Sequence, residues 1–158
     1  MLRVFFQWMN DLQFSKGLGA SVWQFPTIQA FHLVALAWLA GAILIVDLRL
    51  LGVGVKDRPV AQVARDAQPW LIWGLIALTI TGIPQMMQNA MREYFSVFFW
   101  IKMVFLLAAI VFTFTIRRKV ALADEGRVGP AQSKAVGLVS IALWLGVAVP
   151  ARLIGLFS

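Results

Sequence analysis

Apolar residues fall into four long runs separated by short polar stretches. The first follows Pro26, and no Asp, Glu, Lys or Arg occurs between Lys16 and Asp47. Spans are predicted over 26–50, 69–91, 96–117 and 134–156. At about 1.5 Å per residue the first is roughly 37 Å long, enough to cross a bilayer with some tilt. Pro26 and Pro69 suit the first turn of their helices, where a missing N–H costs nothing. The loop between them is polar, and its Val60–Ala64 part reads as a short surface helix. Pro84, with Gly82 beside it, predicts a kink that leaves the Ile80 carbonyl without its donor. Arg92-Glu93-Tyr94 reads as a tight turn, and Gly126 with Gly129-Pro130 marks the last loop. Ala37 and Gly41 make a small-residue strip suited to close approach of another helix.

Ahead of the spans, residues 2–14 place Leu2, Phe5, Phe6, Met9 and Leu12 on one side and Arg3, Gln7, Asn10 and Asp11 on the other. That spacing predicts an amphipathic helix lying in the membrane interface, with Trp8 as an anchor. The short apolar run does not read as a cleavable signal peptide.

Composition turns the pattern into a class. The chain is 61% hydrophobic and 13% charged, too little polar surface for a soluble domain of 158 residues. The expectation is a single-domain, all-α integral membrane protein (1–158): a four-transmembrane-helix bundle with an N-terminal interfacial helix. The net charge of +7 belongs to membrane topology, not to nucleic acid. Nine cations (Arg49, Lys56, Arg58, Arg65, Arg117, Arg118, Lys119, Arg127 and Lys134) fall on the side of the two longer loops, against Arg3, Lys16, Arg92 and Arg152 opposite. The positive-inside bias then places both termini in the periplasm of a bacterial inner membrane. The chain lacks cysteine, which excludes disulfides, thiolate metal sites and covalently attached haem. It also carries no phosphate loop, nucleophile elbow or metalloprotease motif.

Depth picks out the candidate chemistry. His32, the one histidine, lies six residues inside Pro26, and Lys102 six inside Ser96. Gln85 lies six before Met91, and Arg152 six before Ser158. Each is about 9 Å from the same end of its span. Four polar groups, one per helix, are therefore predicted at one level of the outer leaflet. Facing inward they form a cofactor-binding cluster with His32 as the metal ligand. Facing outward, Lys102 and Arg152 reach the headgroups and His32 is an ordinary core residue. No carboxylate is placed at this level, so an anionic ligand such as a porphyrin propionate or lipid phosphate would supply the counter-charge. At the other end, Asp47 is expected to pair with Arg117 or Arg118 as a structural clip. Met86, Met87, Met91 and Met103 offer thioethers that suit Cu(I), or ordinary apolar filling.

The pattern His32-x5-Trp38-x2-Gly41 on the first span, with Phe99-Trp100-Ile101-Lys102-Met103 on the third, resembles a broad group of small bacterial four-helix membrane proteins. The group includes the HemJ-type protoporphyrinogen oxidases and the CopD-like copper-resistance membrane domains. The likeness runs from Trp23 onward and includes Trp144 and Pro150-Ala151-Arg152. It implies haem b bound by His32 and a functional role for Lys102. The chain departs from that group in its N-terminal helix, in Arg152 at the close of the last span and in having no second histidine. Three functions follow as alternatives. One is a haem- or porphyrin-binding protein in electron transfer or quinone- or porphyrin-linked redox chemistry. The second is a non-catalytic membrane subunit in a larger complex or homo-oligomer, surrounded by membrane lipids. The third is a copper carrier.

Overall fold

The computed structural model describes residues 1–13, 17, 22–54, 56–123 and 127–157. Every regular element among them is helical: α1 (Leu2–Asp11), α2 (Gln24–Leu50), α3 (Val60–Gln88), α4 (Ala90–Phe95), α5 (Val97–Phe112), a π-helical turn (Thr113–Arg117), α6 (Arg118–Ala121) and α7 (Pro130–Phe157). The stretch Val97–Ala121 runs as one span. Four helices are long and apolar enough to cross a membrane, which marks a multi-pass membrane protein. The predicted break at 16–19 lies largely outside the described residues, as does Gly126.

Local chemistry sets the ends of α2. Thr27 Oγ1 donates to the Trp23 carbonyl at 2.7 Å, and Gly52 closes the helix in the left-handed region at φ 78°. There Leu51 N–H donates to Asp47 O and Val53 N–H to Leu48 O, satisfying carbonyls that a helix end leaves free.

The second span differs from its predicted start. It begins at Val60, capped by Pro59, so the expected surface helix and the span are one element with Pro69 in its interior. The buried face Val63, Ala67, Leu71 and Gly74 keeps a 3–4 residue period across Pro69. Packing along that stripe outweighs the one hydrogen bond the proline removes. The helix likewise runs through Pro84 to Gln88. Arg92-Glu93-Tyr94 is not a tight turn but part of the short helix α4. Trp100 Nε1 donates to the Tyr94 carbonyl at 3.0 Å and ties α4 to α5.

The bundle is two antiparallel pairs, α2 with α3 and α5 with α7, joined mainly by α2 against α7. In the first pair α3 approaches through Gly74, where a Cβ would stand 3.1 Å from Leu39 Cβ. The expected approach along Gly41 does not occur: nothing lies within 4 Å of a Cβ built there. One end of the bundle holds the chain termini and the other the two longer loops; they are called here the terminus end and the loop end. At the terminus end α1 docks through Phe6 and Met9, both buried with Ala90 and Phe99. Phe5 and Trp8 of the same helix remain exposed, so its apolar face is divided between protein and surroundings.

Candidate functional site

Two polar assemblies sit at opposite ends of α2. The one nearer the loop end is fully closed. Asp47 is 0% exposed, Arg117 5% and Ser140 0%. Arg117 Nε donates to Asp47 Oδ1 at 2.5 Å, Ser140 Oγ donates to Asp47 Oδ2 at 2.7 Å, and Arg117 Nη2 donates to the Ile43 carbonyl at 2.9 Å. The expected clip therefore forms, with Arg117 and not Arg118, whose side chain is exposed. Arg117 is the last residue of the π-helical turn. The extra residue in that turn shifts the register of the stretch that carries the guanidinium to Asp47. Nearby, Trp144 Nε1 donates to Thr113 Oγ1 at 3.3 Å. A charge pair taken from water this completely needs its remaining hydrogen-bonding capacity satisfied, and Ser140 and Ile43 O provide that.

The assembly at the terminus end is different: half-buried and incompletely satisfied. His32 Nδ1 lies 2.8 Å from Thr81 Oγ1, and that oxygen lies 2.7 Å from the Ala77 carbonyl. Two oxygens this close need a hydrogen between them, so the single hydroxyl proton of Thr81 is committed to Ala77. Thr81 must then accept from His32 Nδ1–H. The network thus assigns the tautomer: the proton is on Nδ1 and the lone pair is on Nε2. Nε2 is given no partner among the described residues. Gly82 backs the ring, since a Cβ there would stand 3.4 Å from His32 Cε1.

One turn beyond Thr81, the buried Nε2 of Gln85 and Oε1 of Gln88 have no hydrogen-bond partner among the described residues, and neither has Glu93 Oε2. Lys102 Nζ sits 5.2 Å from the centre of the Phe99 ring, a cation–π contact. Its charge acts on both His32 and Glu93. Burial pushes the Glu93 carboxyl above its ordinary value, and the Lys102 charge opposes that rise.

Of the four residues expected at this level, His32, Gln85 and Lys102 are part-buried at the terminus end. Arg152 is exposed. The expectation that no carboxylate reaches this level is corrected by Glu93. Its signal lies in the sequence, in a Glu three residues ahead of Ser96, where a helix rather than a tight turn brings it to the level of Lys102. The methionines divide. Met86, Met87 and Met91 pack with Met9, Phe6 and Phe99 in an apolar cluster, whereas Met103 is exposed on α5. No group of three or more His, Cys, Asp or Glu suited to a metal ion occurs among the described residues.

The chain belongs to DUF6644, a family of unknown function whose profile matches residues 5–158. No curated protein and no solved structure matches it.

Proposed function

We propose that this DUF6644 member is a haem-binding protein of the bacterial inner membrane, with α1 in the outer interface and both termini periplasmic. It would act in electron transfer or in quinone- or porphyrin-linked oxidation. The observation that carries the reading is the His32–Thr81–Ala77 chain. It leaves Nε2 of the one imidazole unprotonated and holds the ring in place through Nδ1, the arrangement metal-ligating histidines use. His32 would hold the iron of haem b through its ring nitrogen, and Lys102 would offer a cation to a propionate. Bound there, the iron would supply one-electron chemistry. The chain's own part is to orient His32 and to offer the Gln85 and Gln88 amides as hydrogen-bonding groups. Arg152, being exposed, is left out of the propionate clamp.

The test is the absorption spectrum of protein purified in mild detergent from a haem-sufficient host, beside its His32→Ala variant. A Soret band that disappears in the variant is expected; its absence from the wild-type protein would remove the haem reading. A second reading rests on Glu93 Oε2, which has no hydrogen-bond partner among the described residues, and on the Lys102 charge that acts on it. A bound quinol would donate a hydrogen bond from one hydroxyl to the His32 Nε2 lone pair, with the Lys102 charge and Glu93 at the same end of the bundle. A haem-free protein that still binds a quinone analogue, and loses it in His32→Ala, favours that version.

A further inference from the structure

Beside the α2–α3 seam, from mid-span towards the loop end, an open groove of about 730 Å3 is lined by the small residues Ala37, Gly41 and Ala42 and by Trp38 and Trp70. The two indole rings lie 5.2 Å apart at 45°. The volume lies within the roughly 300–1,000 Å3 typical of small-molecule pockets. None of its lining residues belongs to the His32 cluster. Trp38 and Gly41 are the two positions of the first-span pattern that the proposed haem site does not use. Nothing lies within 4 Å of a Cβ built on Gly41, so the glycine is not there to admit a helix of this chain.

The rim of the groove carries one charge of each sign. Arg58 and Asp66 both line it, and Arg58 Nη1 lies 3.6 Å from Asp66 Oδ2, with the two side chains 59% and 60% exposed. The Arg58 backbone is held by Arg49, whose Nε donates to the Arg58 carbonyl at 2.8 Å. An ion pair this exposed is weak and opens easily. An apolar trough ending at a paired cation and anion matches a lipid whose headgroup carries a phosphate and a primary ammonium.

We propose that this groove binds one phosphatidylethanolamine molecule, with an acyl chain along Ala37–Gly41, the phosphate on Arg58 and the ammonium on Asp66. Guanidinium forks bind phosphate oxygens directly. A primary ammonium has three N–H donors for the Asp66 carboxylate. A choline headgroup has none, and a glycerol headgroup has no cation at all, so neither satisfies both rim charges.

The experiment is native mass spectrometry of the purified full chain with equal amounts of phosphatidylethanolamine, phosphatidylcholine and phosphatidylglycerol. One retained phosphatidylethanolamine per chain, preferred at least tenfold over each of the others, is expected. Gly41→Leu fills the trough and should abolish retention while leaving helicity and thermal midpoint intact. Ala37→Leu serves as a second filling variant should Gly41→Leu misfold. Asp66→Asn should retain lipid but lose the preference over phosphatidylcholine. Preference for phosphatidylglycerol, equal retention of all three, or lipid that survives both filling variants overturns the proposal. A dimer that both filling variants convert to monomer overturns it too, because the occupant is then a second copy. Haem content is unaffected by any of these outcomes, so the two sites stand or fall separately.

Discussion

Asp47 on α2 and Arg117 on the third span, 70 residues apart in sequence, share a hydrogen-bonded ion pair closed to solvent. It fastens the first helical pair to the second at the loop end, with Ser140 on α7 as the third member. The bundle thus has a locked end and, at His32, an end with hydrogen-bonding groups still free.

Removing one partner of the lock strands the other. Arg117→Ala leaves an uncompensated carboxylate among apolar helices and should cost about 3–5 kcal/mol, with Asp47→Ala similar. Replacing both together, Asp47→Leu with Arg117→Met, should recover most of that loss. Ser140→Ala removes only the bond to Oδ2 and should cost about 1–3 kcal/mol. Unfolding in mixed micelles measures all four, and a double variant no more stable than the singles contradicts the pairing.

Close packing of α2 on α3 depends on Gly74. A Cβ there meets Leu39 Cβ at 3.1 Å and Leu39 Cα at 3.2 Å, and backbone cannot swing aside as a side-chain tip can. Gly74→Ala should therefore lower stability by about 1–3 kcal/mol despite its better helix propensity. Gly41→Ala, facing open space, should be neutral or gain up to about 1 kcal/mol. Equal thermal midpoints for the two variants would remove the close-approach argument.

Glu93 gives a pH signature. Burial raises its carboxyl, with Lys102 in opposition. A raised carboxyl holds its proton more tightly in the folded chain than in the unfolded one. Its contribution to stability is therefore present below the unfolded value and is lost as pH rises through the folded value. At neutral pH the ionised group is a burden that Glu93→Gln relieves. The variant should melt higher than wild type at neutral pH, and the difference should vanish in acid. Thermal scans across that range decide it; a variant less stable at neutral pH shows that Lys102 outweighs burial.

The spans were legible because each is a long, strongly apolar run with few charges, whose length matches a membrane. That Asp47 pairs with Arg117 or Arg118 was legible because charges at span ends have few partners, but the choice of Arg117 rests on the π-helical turn that carries it. Pro69 misled the reading of the second span because proline is a local signal, whereas the Val63–Gly74 stripe that overrides it is tertiary. Ser140 was invisible for a related reason: one hydroxyl in an apolar span becomes a ligand for Asp47 only once α7 lies against α2. Arg152 shared the depth of His32 but not its environment, since depth fixes a level along a helix and not the side of the helix that faces in.

The Thr81 hydroxyl gives the most discriminating test of the His32 site. Thr81→Val keeps the shape of the side chain but removes the acceptor for Nδ1–H, so the imidazole loses its orienting partner and can turn or exchange tautomers. If Nε2 binds haem iron, losing this outer-shell hydrogen bond should weaken haem affinity by about 10- to 100-fold without eliminating it. His32→Ala should eliminate it. Thr81→Ser, which keeps the hydroxyl, should stay close to wild type. Haem titration followed at the Soret band separates the three. A Thr81→Val protein that folds and binds haem as tightly as wild type would show that Thr81 does not orient a ligand, leaving His32 without the support on which its role as one rests.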